Sequence, residues 1–247
     1  MNNNLNDVFT TTISGLEKAF VVQDITSSPL ITCKSEEELS QFLEKYPEFD
    51  IVPLEQDGQI VAIIEKDSQI RKPIDISMLV SAEESLLNFL PYLEQQSFYL
   101  VLKGTEIHGI VTRSDVIKLP VRLLIFTLVT HLEMVMSDII KNEGGKEDEW
   151  KKHLSKDQLN RLKGLEKKLR SENINPSLIE LTYFDDKFAI VGKIRSLGAH
   201  FESEMKSIQN LRNTIDHSKE YAQNETALKE FLCQMERTDH WIKYFSN

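Results

Sequence analysis

Hydrophobic and polar positions in the first half of the chain follow one plan twice. The segments 33–67 and 79–115 each contain an apolar run, a turn and a second apolar run, offset by roughly 47 positions. Both runs are rich in β-branched residues and alternate, which predicts a two-stranded hairpin in each segment. A predicted helix precedes each hairpin and another follows it. Neither unit is large enough to bury both faces of its own sheet, so we expect the two to pack together.

Each predicted leading helix opens on an S-x-x-E pattern, with Ser35 and Glu38 in one copy and Ser81 and Glu84 in the other. In such a capping box the hydroxyl and the carboxylate each accept a hydrogen bond from a free backbone N–H at the helix start. The pattern therefore predicts that the two helices begin at Ser35 and Ser81.

From Leu119 onwards the apolar positions recur at steps of three and four, which is typical of one buried face of a helix. The segment 181–194 fits both a helix and a strand, and we favour a helix. Glycine, proline and asparagine predict loops at 142–149 and 172–177. The predicted helices are 120–142, 155–172, 196–217 and 225–245. The second half should therefore be an all-helical domain of about four or five helices.

Length and composition favour two domains in a cytoplasmic protein. The chain has 247 residues, 40% of them apolar, and its start lacks the pattern of a signal peptide. The most apolar run, 119–129, contains Arg122 and has about half the length that a membrane span needs, so we expect a buried helix. Cys33 and Cys233 match no metal-binding or redox spacing.

The negative charge belongs to the first half. Residues 1–118 hold 9 Lys and Arg against 19 Asp and Glu, whereas the remainder holds 20 of each. This balance argues against nucleic-acid binding by the first half, and no DNA partner is expected. The stretch 151–170 has eight basic and two acidic residues. It fits either a solvated helix face or a path for an RNA backbone.

The second repeat ends with GIVTRSDVI, in which a predicted strand stops at Thr112 and a helix begins at once. The Thr112 hydroxyl and the free N–H groups of the first turn would form an anion pocket, and Asp115 would accept hydrogen bonds from ribose hydroxyls. The same two residues also fit a plain helix N-cap. The first repeat has Glu65 and Ser68 at these positions. A carboxylate there would repel a phosphate, so if a nucleotide binds, we expect one site for the two repeats, around Thr112 and Asp115.

The stretch 22–33, the duplicated unit and above all GIVTRSDVI resemble a tandem pair of CBS domains over about 20–118. CBS domains are small regulatory modules that bind adenosine-containing ligands in the cleft between two repeats. The resemblance implies an α/β fold of two β-α-β-β-α units and a regulatory AMP, ADP or ATP. The implied binding residues are Thr112, Arg113, Ser114 and Asp115.

Near the end of the helix predicted over 196–217, Arg212, Asn213 and His217 lie close together in sequence. On a helical wheel they lie about 40°, 140° and 180° from the centre of the apolar stripe, at about 100° per residue. They therefore share no face of a single helix. From the pattern alone, an ion pair of Arg212 with Asp216 and an exposed His217 at the helix end account for the segment.

LRNTIDH also resembles the R-N-x-x-x-H signature of the HEPN superfamily, which contains many metal-independent ribonucleases as well as inactive members. The resemblance covers about 119–245 and depends on this hexad. It implies a helical bundle that forms a homodimer, in which two copies of Arg212, Asn213 and His217 line one cleft. It also implies an RNA substrate and no metal.

The implied chemistry is RNA cleavage through the 2′-hydroxyl group. His217 would transfer the proton, Arg212 would bind the phosphate oxygens as charge develops, and Asn213 would orient the phosphate or the histidine. The sequence shows no compact carboxylate cluster of the kind that a two-metal nuclease needs. His131 and Glu133 either face this site or form a pair on the helix surface.

The sequence thus predicts an N-terminal segment 1–19, a CBS pair over 20–118 and a HEPN-like domain over 119–247. The hypothesis is a nucleotide-regulated, metal-independent endoribonuclease, with the long helix after Asp115 coupling the two parts. One alternative is a non-catalytic regulator, in which the CBS pair controls dimerisation or partner binding. Another is a ribonuclease whose CBS pair has lost its ligand and serves as a scaffold.

Overall fold

The chain forms two compact units in a computed structural model that describes residues 15–216, 222 and 224–246. In the described part of the chain, one unit is residues 15–121 and the other is residues 122–216, 222 and 224–246. The first is mixed α/β and the second is helical in its described part. These classes agree with the α/β plus all-α fold class expected from the sequence.

Two three-stranded sheets form the framework of the first unit, in the orders β1-β2-β3 and β4-β5-β6. The helices are α1 (15–19), α2 (Leu39–Lys45), α3 (Leu86–Phe89) and α4 (Tyr92–Gln95). The strands are β1 (Ile51–Gln56), β2 (Gln59–Glu65), β3 (Arg71–Pro73), β4 (Leu79–Ser81), β5 (Phe98–Lys103) and β6 (Glu106–Thr112).

The internal repeat is confirmed in the strand register. The hairpin of β5 and β6 begins 47 positions after the hairpin of β1 and β2. Each hairpin has one bulge, at Leu54/Glu55 in the first and at Val101/Leu102 in the second, so the irregularities share the same offset. The turns also correspond, because Asp57 with φ 50° and Gly104 with φ 65° are both left-handed.

The segments that lead into the repeats are exchanged between the two sheets. β3, which leads into the second repeat, pairs antiparallel with β2 of the first. Ser27, which leads into the first repeat, pairs with Ile110 on β6 of the second. Each hairpin is thus joined by backbone hydrogen bonds to the segment that introduces the other repeat. This exchange explains why the repeats form one unit.

The buried side chains between the sheets come from both repeats. Ile63 of β2 packs in one apolar cluster with Phe98 and Leu100 of β5. A second cluster, around Phe42 of α2 and Val52 of β1, lies within the first repeat. Burial of this apolar area is the main source of stability for sheets that each have only three strands.

The two predicted capping boxes do not form. Ser35 precedes a short 3-10 turn, and in the described structure its side chain makes no cap hydrogen bond. Ser81 ends β4, and α3 begins only after Ser85, so the helix start predicted at Ser81 was wrong. The reason is tertiary, because Leu79–Ser81 pairs in parallel with β5 and this pairing outweighs the local capping preference.

The second unit contains the helices predicted from periodicity, and 181–194 is confirmed as largely helical. The described helices are α5 (Leu119–Glu143), α6 (Glu147–Trp150), α7 (Lys156–Ser171), α8 (Phe184–Ile194), α9 (Gly198–Asp216) and α10 (Glu225–Ser246). The loop predicted at 142–149 is shorter than expected, since α5 continues to Glu143 and α6 begins at Glu147. The predicted stripe on α9 is buried at Phe201, Met205, Ile208, Leu211 and Ile215.

The long helix α5 is apolar enough to raise the question of a membrane span. Its most apolar 18-residue window has a mean hydropathy of 1.7 and would suffice by length and composition. However, 56% of that window is buried inside the protein. Leu124, Leu128 and Leu132 are fully buried. Leu119, Leu123 and Phe126 are exposed on the same helix, so α5 is buried along one face and the buried helix expected over 119–129 is confirmed only in part.

Candidate functional site: a cleft between the repeats

A cleft of about 570 Å³ lies within the first unit, and both repeats line it. The first repeat contributes 48–51 and Pro53, and the linker before it contributes Ser27 and 29–31. The second repeat contributes Ser97, Phe98, Ile110, Thr112, Arg113 and Ser114. This volume falls in the range of about 300–1,000 Å³ that is typical of small-molecule sites.

Three of the four predicted nucleotide-binding residues line this cleft. β6 ends at Thr112, and a 3-10 helix (Arg113–Ile117) begins at the next residue. The hydroxyl groups of Thr112 and Ser114 lie 2.7 Å apart. The structure thus places two hydroxyl groups where the strand gives way to the helix, as the GIVTRSDVI pattern predicts.

Asp115, the fourth predicted residue, is buried behind the residues that line the cleft. One carboxylate oxygen accepts hydrogen bonds from the Thr112 backbone N–H at 2.6 Å and from the Thr112 hydroxyl at 2.9 Å. The other lies 2.7 Å from the ammonium group of Lys118, and the Asp115 side chain is 7% exposed. The N-cap role that the sequence left open is therefore present, while the ribose contact stays a prediction.

Sequence reasoning missed the part that Lys118 plays. Its ammonium group donates to the backbone carbonyl of Ile25 at 2.6 Å and to the Ser27 hydroxyl at 3.2 Å, besides pairing with Asp115. These bonds fasten the linker to the helix that follows β6. The only sequence signal was the i, i+3 spacing from Asp115, which did not indicate a contact with a linker far earlier in the chain.

Gly109 is required because this linker crosses β6 at close range. A β-carbon at Gly109 would lie 2.3 Å from Cγ2 of Thr26 and 2.7 Å from the carbonyl oxygen of Ser27. On the next residue of β6, Ile110 exchanges two backbone hydrogen bonds with Ser27, at 2.9 and 3.1 Å. The absence of a side chain at Gly109 therefore permits the pairing that forms one wall of the cleft.

Arg113 lines the cleft, but two of its donor groups are already used. Its Nε donates to the carbonyl oxygen of Leu93 at 2.9 Å, and its Nη2 donates to that of Glu94 at 3.0 Å. Both carbonyls belong to α4 (Tyr92–Gln95), near its C-terminal end, where a cation is favoured. Arg113 thus has a structural role besides the binding role implied by the resemblance.

The equivalent position in the first repeat is occupied by an ion pair. Glu65, which lies 47 positions before Thr112, accepts hydrogen bonds from Lys72 and, at 3.2 Å, from the Ser68 hydroxyl. The hydrogen bond from Lys72 is the main reason that the pKa of Glu65 is lowered. A negative carboxylate held at this place supports the prediction that only one cleft per pair takes a phosphate.

In the second unit, the structure places Arg212 against Glu133 of α5. The Nη1 of Arg212 lies 3.3 Å from Oε2 of Glu133, and the arginine side chain is 34% exposed. Asn213 is exposed on α9. His217 and the side chain of Asp216 lie outside the described residues, so the predicted Arg212–Asp216 pair and the position of His217 stay predictions.

The carboxylate of Glu133 also binds a buried lysine. Lys187 of α8 donates to Glu133 at 2.8 Å and to the carbonyl oxygen of Thr182 at 2.7 Å. His131 is buried on α5, so the alternative of a pair with Glu133 on the helix surface was wrong. Burial lowers the pKa of this histidine. Glu133 therefore joins three helices, which helical periodicity by itself could not indicate.

Most of the basic stretch 151–170 faces solvent on α7. Lys163, Lys167 and Lys168 are exposed. Arg161 instead lies against α8, where it donates to Asp186 at 2.6 Å and covers the Tyr183 ring at 4.3 Å from the ring centroid. This arrangement fits the solvated helix face, and the RNA path stays a prediction.

Neither cysteine is among the residues that line the cleft between the repeats. Cys33 is buried and Cys233 is half-buried, and both are free thiols. In the described part of the chain, no three His, Cys, Asp or Glu side chains gather into a group that could hold a metal ion.

Comparison with known proteins gives only partial likenesses. No protein-family model matches the chain, and no curated protein matches it. The CBS domain of the bacterial CNNM/CorC family Mg2+ transporter in complex with ATP is similar over 46% of this chain and 94% of its own, with 16% identity and a TM-score of 0.37. A second structure of that domain covers 48% of this chain and 85% of its own, with 16% identity and a TM-score of 0.36. At these TM-scores neither likeness assigns a family or a function.

Proposed function

We propose that the first unit is a CBS pair that binds an adenine nucleotide and regulates the helical unit. The observation that carries this proposal is the cleft, whose walls come from both repeats and which includes the hydroxyl groups of Thr112 and Ser114. Phe98, Ile110 and Ile51 give it apolar surface for a base. A site with apolar walls and a few converging polar groups is typical of small-ligand binding.

The test is calorimetric titration of the full chain with AMP, ADP and ATP. The variant Thr112→Glu places in the second repeat the residue that the first repeat has at the equivalent position. The added carboxylate should repel a phosphate, and we expect nucleotide affinity to fall by about tenfold or more. Thr105→Glu is the matched control, because Thr105 is exposed in the turn between β5 and β6 and does not line the cleft. Equal affinities of both variants and wild type would contradict the proposal.

For the helical unit, we propose a metal-independent endoribonuclease of the HEPN type that acts as a homodimer in the cytoplasm. The support is the R-N-x-x-x-H hexad, in which Arg212 and Asn213 lie on the last turns of α9. Two copies of Arg212, Asn213 and His217 would line the RNA site. α5 is continuous across the boundary at Val121/Arg122 and is the segment through which nucleotide binding would act.

The ribonuclease proposal is tested with mixed structured and single-stranded RNA in EDTA. Wild type and His217→Ala are each incubated with and without AMP or ATP. We expect cleavage that survives EDTA, leaves 2′,3′-cyclic phosphate ends and disappears in the variant, because the histidine would transfer the proton of the 2′-hydroxyl. A nucleotide effect on the rate would establish the regulatory link. Cleavage that His217→Ala leaves unchanged would refute the assignment.

A non-catalytic regulator is the second candidate, and the contact between Arg212 and Glu133 favours it. The ion pair gives Arg212 a structural role that needs no substrate. This candidate predicts that nucleotides bind, that RNA stays intact under all these conditions, and that the nucleotide changes only dimerisation or partner binding. Light scattering with and without nucleotide, beside the RNA assay, separates the two candidates.

A further inference from the structure

We infer that the cleft prefers a nucleoside or nucleoside monophosphate over a nucleoside triphosphate, an inference that rests on the proposed nucleotide binding. Two acidic residues, Glu48 and Asp50, line the cleft on the side of the first repeat. Among the described lining residues, Arg113 is the one cation. The lining therefore carries more negative than positive charge.

Arg113 is poorly placed to neutralise the negative charge of several phosphates. Nε and Nη2 of Arg113 donate to the carbonyl oxygens of Leu93 and Glu94, which fixes the guanidinium group against the second repeat. A bidentate contact with a phosphate needs two parallel N–H groups of the guanidinium. With two groups directed to backbone carbonyls, Arg113 retains its charge but loses part of that capacity.

Two lysines that contact lining residues, Lys118 at Ser27 and Lys66 at the Asp50 carbonyl, already have protein partners for their ammonium groups. Lys118 is held by Asp115, by the Ile25 carbonyl and by the Ser27 hydroxyl. Lys66 donates to the carbonyl oxygen of Pro47. Moving either ammonium group to a ligand would break contacts within the protein, which opposes recruitment of these side chains for phosphate binding.

Of the two acids, Asp50 gives the more informative variant, because the second repeat has the neutral residue Ser97 at the equivalent position. It lies 47 positions before Ser97, and the carbonyls of these two residues accept equivalent backbone hydrogen bonds from Lys66 and Arg113. Both residues line the cleft. Asp50→Ser therefore gives the first repeat the side chain that the second already has, and it removes one charge while the backbone contact remains.

Glu48 and Asp50 line the cleft and are also exposed to solvent, so they act on a ligand through partly screened charge. The cleft has a volume of about 570 Å³, and a cube of that volume has an edge of about 8 Å, which is also about the Debye length at physiological salt. Salt therefore screens the acids from a ligand in the cleft only in part. Each phosphate beyond the first adds about one negative charge and repels the acids further. Adenosine carries no such charge. Affinity should therefore fall as phosphates are added, and added Mg2+ should restore part of the loss.

The experiment is calorimetric titration of the full chain with adenosine, AMP and ATP, and with ATP plus Mg2+. We expect wild type to bind AMP about tenfold or more tightly than ATP in the absence of Mg2+. Asp50→Ser and Glu48→Gln should each raise ATP affinity several-fold and leave adenosine affinity unchanged. The control Asp57→Asn removes a charge from the turn between β1 and β2, outside the cleft, and should leave the AMP to ATP ratio unchanged.

The outcomes separate this inference from the function on which it rests. Tighter binding of ATP than AMP by wild type, or an AMP to ATP ratio that both cleft variants leave unchanged, would overturn the charge selection alone. Nucleotide binding would then stand. If adenosine, AMP and ATP all fail to bind, the proposed nucleotide site is wrong and the selection inferred for it is wrong as well.

Discussion

Arg212 on α9 forms an ion pair with Glu133 on α5, with 3.3 Å between Nη1 and Oε2. The other oxygen of the same carboxylate pairs with Lys187 of α8, whose side chain is 5% exposed. A residue proposed to bind RNA phosphates thus belongs to a network that connects three helices of the second unit. Variants of Arg212 must therefore be tested for stability before a loss of activity is attributed to catalysis.

Glu133→Gln should destabilise the second unit more than Arg212→Ala does. Without the carboxylate the buried ammonium group of Lys187 loses its counter-charge, which costs about 3 kcal/mol of unfolding free energy. The Arg212 side chain is 34% exposed, so solvent compensates part of the loss of its ion pair. Urea unfolding measures both effects. Glu202→Gln, at an exposed pair with Lys206, serves as the control and should leave stability nearly unchanged. A larger loss for Arg212→Ala would contradict this account.

Gly109→Ala should weaken both the first unit and its ligand site. The new methyl group would collide with Thr26 and with the Ser27 carbonyl, and overpacking of this kind costs about 1–3 kcal/mol. Because Ser27 lines the cleft, nucleotide affinity should fall as well. Gly164→Ala on α7 is the matched control, since nothing lies within 4 Å of its added carbon. A Gly109 variant as stable as this control would show that the linker moves freely.

Asp115→Asn should lower stability even when no nucleotide is present. The substitution removes the charge that faces Lys118 and weakens the cap on the Thr112 N–H, a loss of about 1–3 kcal/mol. Thermal unfolding of the ligand-free protein is the measurement. Ser114→Ala, at an exposed neighbour that also lines the cleft, should leave this stability nearly unchanged. If Asp115 served only to bind ribose, its variant would behave like that of Ser114 in the absence of nucleotide.

His131 should make the second unit less stable in mildly acidic solution. Burial lowers its folded-state pKa, whereas the unfolded chain titrates near about 6.5. Between these two values the unfolded state binds more protons, so the stabilising contribution is complete above about pH 6.5 and is lost as the pH falls through the folded pKa. We expect the unfolding free energy to drop more between pH 7.5 and 5.5 in wild type than in His131→Leu. The exposed His153, changed to Gln, should retain the wild-type pH dependence.

Short-range patterns predicted much of the secondary structure. The hairpins, their common offset and the helices of the second half follow from alternation and from three- and four-residue spacing, which depend on neighbours in sequence. The predicted helix start at Ser81 was wrong because β4 pairs with β5, a strand that begins seventeen residues after Ser81. For the site, Thr112, Arg113 and Ser114 were found from one strand-to-helix motif. The wall around Ser27 was not found, because no local pattern records which strand a linker crosses.

The amino-acid sequence alone specified the two classes of structure, the repeat and the candidate binding and catalytic residues. Periodic burial and local turn preferences depend on residues that are close in sequence. The folded structure determined which of these residues meet. It exchanged the linkers between the sheets, buried Asp115 behind the cleft and placed Glu133 between Lys187 and Arg212. These contacts join segments distant in sequence, and they depend on packing and charge pairing in three dimensions.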